Sequence, residues 1–153
     1  MKKSLPVSLG LLLVACTSSI ALAHCEVPCG VYGDQRRYEA MLEDQATIAK
    51  AITQIEELSS KTDAVSKNQL VRWINTKESH ASSIQTTIAQ YFMHQRIKAT
   101  NDNYIKSLTS AHAVMVAAMK CKQGVSAESA ATLRKAILDF YKAQEGKEPH
   151  LHD

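Results

Sequence analysis

Residues 70–95 read LVRWINTKESHASSIQTTIAQYFMHQ, and their spacing decides the fold. Leu70, Ile74, Lys77, Ala81, Ile84, Ile88, Tyr91 and Gln95 follow one another in steps of four and three. A helix turns about 100° per residue, so these steps keep all eight positions on one stripe, with mostly polar residues between them. No proline or glycine interrupts the run. One amphipathic helix cannot bury its stripe alone, so its partners must lie elsewhere in the chain.

Three further segments supply them. Tyr38, Met41, Gln45, Ile48, Ile52 and Ile55 form a first seam. Ile105, Leu108, His112, Met115 and Met119 form a third, and Ala130, Leu133, Ile137 and Phe140 a fourth. The breaks fall at Ser59-Ser60-Lys61-Thr62-Asp63, at Thr100-Asn101-Asp102-Asn103 and at Gly124. The expected N-caps are Asp34, then Ser66, then Asn101 or Asp102, then Ser126 with Ser129, and Gly124 is expected to end the third helix. Short connections make consecutive helices antiparallel, so the expectation is all-α: an up-down antiparallel four-helix bundle. Residues 144–153 are expected to form a frayed tail. No strand pattern, repeat or low-complexity tract stands out.

Ahead of the helices lies a leader. Lys2 and Lys3 precede a mostly apolar run from Leu5 to Ala15, and Ala21-Leu22-Ala23 closes it as a small-x-small cleavage site. This predicts a secretion signal over residues 1–23, removed by a signal peptidase, and a single domain over 24–153 in the periplasm or outside the cell. The apolar run is short of the ~20 residues of a membrane span. A second reading stays open: Leu13-Val14-Ala15-Cys16 resembles a lipobox, in which Cys16 carries lipid, anchors the chain to a membrane and leaves His24 internal. The formal charge of +3 loses only Lys2 and Lys3 on cleavage, so the mature chain carries +1. That balance gives no basis for nucleic-acid or membrane-surface binding. Cys25, Cys29 and Cys121 remain, an odd number that cannot form a complete set of intrachain disulfides.

Cleavage after Ala23 creates chemistry. The new terminus reads His24-Cys25-Glu26-Val27-Pro28-Cys29. The terminal amine, a deprotonated amide at Cys25 and the thiolates of Cys25 and Cys29 make a set of two nitrogens and two sulfurs. Fused chelate rings through the amine, amide and first sulfur favour a plane, which suits Ni(II) or Cu(II), whereas Zn(II) prefers a tetrahedron. The His24 imidazole can reach an axial position, and Pro28 restricts the chain before the second thiolate. Thiolate and amidate donors stabilise a higher oxidation state, so the site is equipped for one-electron cycling.

The run from His24 to Tyr32, His-Cys-x-x-Pro-Cys-Gly-x-Tyr, resembles the nickel hook of the nickel-containing superoxide dismutase family. Weaker likenesses extend through Arg37-Tyr38-Glu39, Arg72, Lys77-Glu78 and Tyr91-Phe92, and cover residues 24–141 in all. The resemblance implies disproportionation of superoxide through Ni(2+)/Ni(3+), with one nickel per subunit held by His24, Cys25 and Cys29. It implies a homohexamer with the hooks at subunit contacts. It also assigns Tyr32 to the substrate access path, and Glu39 and Arg72 to holding the His24 imidazole, a task that fixes tautomer and ring orientation. Three features depart from the family pattern: Gly33-Asp34 stands in place of Asp-Pro, the stretch from Tyr32 to Glu39 is one residue shorter, and a full secretion signal replaces a short propeptide.

Other chemistry is sparse. Cys121 reads as an incidental, partly buried thiol, His112 as a hydrogen-bonded core histidine, and His80 and His94 as surface or interface residues. Trp73, Tyr91 and Phe92 read as core or oligomer contacts, and His150 and His152 as part of the tail. No nucleophile elbow, Gly-rich phosphate loop or His-Glu-x-x-His is present. Two alternatives to the enzyme remain: an exported nickel- or copper-binding helical bundle without turnover, and a helical interaction protein with a Cys25–Cys29 disulfide.

Overall fold

The computed structural model describes residues 32–149, so the leader, His24, Cys25 and Cys29 lie outside the described residues, as do His150 and His152. Within them the regular structure is entirely helical, consistent with a four-helix bundle. The elements are α1 (Asp34–Leu58), α2 (Ala64–Thr86), α3 (Tyr104–Gln123) and α4 (Ala127–Glu145). From α2 the chain runs without a break into a π-helical segment, Thr87–Arg96.

Cross-helix hydrogen bonds give the direction of each pair. Asp44 meets His80 while Asp34 meets Tyr91, so α1 and α2 run antiparallel. Lys77 reaches Cys121, and Gln85 reaches Met115, which does the same for α2 and α3. Gln45 donates to the Ala130 carbonyl at 2.9 Å and Tyr141 to Gln35 at 3.1 Å, tying α4 back against α1. Gln45 is therefore a seam position that is polar yet satisfied.

The first and fourth seams are buried as expected, including Tyr38, Met41, Ile48, Ile52, Leu133, Ile137 and Phe140. The second seam is buried from Lys77 through Tyr91, but Ile74 is 39 % exposed. Phe92 is also fully buried, although it lies off the expected stripe.

The third seam corrects the sequence reading. Ile105 is 66 % exposed, Met119 is 40 % exposed, and His112 is an exposed residue rather than a core one. The buried residues are instead Ser107, Ala111, Val114, Ala117, Ala118 and Cys121. The helix is rotated by about one residue step, roughly 100°. Polar anchors at both of its ends select that rotation. Asn103 Nδ2 and Ser107 Oγ donate to the Ala143 carbonyl at 2.9 and 3.3 Å, and Lys77 holds the other end. Small side chains then let α3 close on a core filled by Tyr38, Phe92 and Phe140 from the other three helical stretches.

Several caps also differ. Gly33, not Asp34, precedes α1 as N-cap, and the Asp34 side chain is engaged elsewhere. Asp63 rather than Ser66 caps α2, accepting from the Ser66 amide at 2.9 Å. Asn103, not Asn101 or Asp102, precedes α3, and its side chain bonds α4. Ser126 and Gly124 hold their expected places. The α4 helix continues through Glu145, two residues into the stretch expected as tail, and ends on Gly146 with φ of 70°, the left-handed conformation glycine adopts without strain.

Lys77 is the least ordinary core residue. It is buried, and its ammonium donates to the Cys121 and Lys122 carbonyls at 2.6 and 2.7 Å, with Glu78 at 3.1 Å. The last carbonyls of a helix lack intrahelical donors and carry the negative end of the helix dipole, so a cation there answers both needs. Lys77→Met keeps the apolar stem and removes the head, leaving two carbonyls without that donor. We expect a loss of about 2 kcal/mol in urea denaturation, against less than about 1 kcal/mol for Glu78→Gln, whose side chain is 40 % exposed. Equal urea midpoints for Lys77→Met and the unsubstituted protein would refute this capping role.

Candidate functional site

The described chain begins at Tyr32, three residues after Cys29, so the end of the bundle that holds Tyr32 is the end nearest the expected ligands. Tyr32 is 47 % exposed. The Arg37 guanidinium lies 4.5 Å from the centre of its ring, and the Tyr91 ring packs beside it at 6.3 Å. Arg37 sits one helical turn into α1, which carries its cation over Tyr32, a contact favoured by the ring quadrupole.

Asp34 organises the same end. One carboxylate oxygen meets the Tyr91 hydroxyl at 2.5 Å, and the other meets Arg96 Nε at 3.0 Å and Nη2 at 2.6 Å. The Tyr91 hydroxyl also lies 3.0 Å from the Tyr32 carbonyl. Burial, followed by the Asp34 carboxylate, pushes the Tyr91 phenol up to about 12. Glu145 stands nearby at the end of α4, its carboxyl raised by burial and then by the charge of Asp34. Tyr38, fully buried beneath, has its phenol raised well above the ordinary range, chiefly by burial.

Among the described residues, three buried polar side-chain atoms have no hydrogen-bond partner: Arg37 Nε, Tyr38 Oη and Gln144 Oε1. All three belong to the first turns of α1 or the last turn of α4. Unsatisfied groups are rare in a folded core, and their concentration at one end marks that end as specialised.

Glu39 lies here too, half-buried, accepting from Gln35 Nε2 at 2.9 Å. Arg72 does not. It is exposed near the start of α2, 19 residues before Tyr91, or roughly 25–30 Å along the helix axis. A single chain thus brings Tyr32 and Glu39 to one end and leaves Arg72 towards the other. His80 lies between, half-buried and paired with Asp44 at 2.6 Å. Cys121 is fully buried, and burial raises its thiol. Among the described residues no group of three or more His, Cys, Asp or Glu side chains could hold a metal ion.

Sequence reasoning missed Arg37 and Tyr91 as neighbours of Tyr32, and Asp34 and Arg96 as the pair beside them. Asp34 reads in sequence as a cap and Tyr91 as a core or oligomer contact, and the five-residue spacing of Tyr91 and Arg96 carries no signal in an α-helical reading.

Comparison with known proteins supplies a family. A family model described as nickel-containing superoxide dismutase matches residues 19–147, which spans the hook motif and all four helices. No match is found among curated proteins or among solved structures.

The elevated Tyr91 phenol is directly measurable. Its folded-state value lies above the ordinary value near 10, so the stability gained from keeping it neutral is present below about pH 10 and lost as pH rises towards about 12. In an ultraviolet phenolate titration, Tyr91→Phe should remove one tyrosine titrating near pH 12. Asp34→Asn should lower that step without returning it to the ordinary range, since the burial remains. A Tyr91→Phe difference curve centred near pH 10 would contradict the geometry.

Proposed function

The chain belongs to the nickel-containing superoxide dismutase family and is an oxidoreductase that uses nickel; on that premise we propose that it disproportionates superoxide to dioxygen and hydrogen peroxide at an N-terminal hook. The observation that carries this reading is the intact His24-Cys25-x-x-Pro28-Cys29-Gly30-x-Tyr32 motif inside the matched region. The donor set suits the metal: the His24 amine and imidazole, the Cys25 amide, and the thiolates of Cys25 and Cys29 are nitrogen and sulfur ligands of the kind nickel accepts. When bound, nickel supplies one-electron cycling between Ni(2+) and Ni(3+), one ion per subunit.

The remaining work falls to the chain. Two superoxide anions and two protons give one dioxygen and one hydrogen peroxide. Arg37 offers positive charge beside Tyr32, which favours approach of an anion. Tyr32 lines that approach and limits how closely the anion comes. Glu39 holds the His24 imidazole, which keeps one tautomer and one ring orientation.

Arg72 acts across a subunit contact in this reading. It is supported by the neighbours of Arg72 on α2: Val71 is 57 % exposed and Ile74 39 %, apolar residues that a single chain leaves uncovered. A contact through that face in a homohexamer delivers Arg72 to another chain's hook. The protein is exported, and cleavage after Ala23 by a signal peptidase produces the free amine of His24.

Two experiments test the reading. The first blocks the terminus: a chain beginning Met-His24, with the methionine retained, converts the amine donor to an amide and should be inactive. Full superoxide turnover by that chain would refute the ligand set.

The second experiment measures bound nickel and superoxide decay together. Cys25→Ser and Cys29→Ser should lose nickel while keeping helicity, and Cys121→Ser should keep nickel. His24→Ala should retain nickel but turn over slowly, and Glu39→Gln and Arg72→Ala should lose about 10–100-fold in activity. Nickel binding by the unsubstituted protein with no decay beyond that of free Ni(2+) would favour a carrier instead.

A further inference from the structure

The end of α2 departs from α-helical geometry, and the departure brings two residues to one place. In Thr87–Arg96 the backbone follows a five-residue hydrogen-bond pattern, continued by Ile97, whose amide donates to the Phe92 carbonyl at 2.8 Å. Tyr91 and Arg96 are five residues apart. In an α-helix, five steps of about 100° would leave them roughly 140° apart around the axis. The wider turn of a π-helix carries them towards the same side, and both meet Asp34.

The contacts form a grip on residues 32–34. A phenol has one proton, and the 2.5 Å contact gives it to Asp34, while the Tyr32 carbonyl at 3.0 Å is a second acceptor on the same oxygen. Arg96 holds the opposite oxygen of Asp34 through two nitrogens. Arg37 covers the Tyr32 ring. An exposed Asp–Arg pair contributes little to stability by itself, so the arrangement matters for where it fixes the chain.

We propose that the π segment is a clamp for the root of the N-terminal ligand segment: Tyr91 and Arg96 grip Tyr32 and Asp34, so the hook leaves the bundle from one fixed point. Asp34, Tyr91 and Arg96 are then positioning residues. The clamp's use rests on the superoxide dismutase reading above, while the grip itself does not. Π-turns are found preferentially at functional sites, where their weaker packing is retained for the residues they bring together. The unpartnered Arg37 Nε and Gln144 Oε1 at the same end are an independent sign that this end is built around more than the bundle core.

The test uses the whole protein, metal-free and nickel-loaded, with Tyr91→Phe, Arg96→Gln and Arg96→Lys. Hydrogen exchange is followed in residues 37–41, the first hydrogen-bonded amides of α1, and, as an internal reference, in residues 130–143 of α4. Loosening of the residues that carry their acceptors should speed exchange in 37–41 about tenfold for Tyr91→Phe, leave 130–143 unchanged, and be partly restored in Arg96→Lys relative to Arg96→Gln. With nickel content unchanged, superoxide turnover by Tyr91→Phe should fall several-fold. Unaltered exchange in 37–41, or an equal rise in both segments, overturns the clamp. A local rise with unaltered turnover overturns its positioning role. Nickel binding without turnover in the unsubstituted protein overturns the functional reading instead, and leaves the clamp to be decided by exchange alone.

Discussion

The Tyr32 end of this bundle depends on the packing of Tyr38. Its ring lies 4.8 Å from Phe92, 5.5 Å from Phe140 and 4.8 Å from Tyr141, so one α1 side chain is held by the π segment and by α4 at once. Tilted and edge-on aromatic pairs contribute about 0.5–1.5 kcal/mol each beyond their burial. The larger effect is geometric. With Tyr38 fixed, the first turn of α1 cannot rotate, and Asp34, Arg37 and Glu39 are held in a set order around it. An unpartnered hydroxyl on a fully buried ring is a cost that packing must offset, since a buried polar group without a partner costs on the order of 1–3 kcal/mol.

Much of the bundle was legible because its signal is additive. The seams of α1 and α4 repeat in threes and fours with large apolar residues, and such runs have one physical interpretation. The seam of α3 was misread for an equally physical reason. Its bulky residues, Ile105, Met115 and Met119, form one stripe and its small ones, Ala111, Val114, Ala118 and Cys121, form the next. Hydropathy favours the bulky stripe. The long-range bonds from Asn103, Ser107 and Lys77, joining residues about 35 to 45 positions apart, favour the small one. No local pattern contains that information. Two cap expectations failed in the same way: the Asp34 side chain is drawn off by tertiary partners, and Asn103, whose side chain bonds α4, precedes α3 in place of Asn101 or Asp102.

The site divides along the same line. The ligand motif is contiguous, so it reads directly from the chain, and the family match covers it. The surroundings of Tyr32 are assembled from the start of α1, the π segment and the last turn of α4, and only folding brings them together. This division separates two tasks in sequence. The proposed metal ligands lie ahead of the first helix in sequence, while the bundle determines what stands around Tyr32, the described residue nearest to them. The described residues that surround Tyr32 are concentrated in one turn of each of three elements.

The depth of Cys121 has a consequence for maturation. In the chain as proposed, exported and cut after Ala23, three thiols remain, and in an oxidising compartment any two of them compete to pair. Once α2, α3 and α4 close over Cys121, its sulfur is fully sheltered from solvent and its thiolate form is disfavoured, which removes it from thiol–disulfide exchange. Folding thus withdraws one cysteine of the proposed mature chain from that competition. The order of events then matters, because a chain oxidised before the bundle closes can trap Cys121 in a bridge that prevents closure, whereas a chain that folds first has no such path.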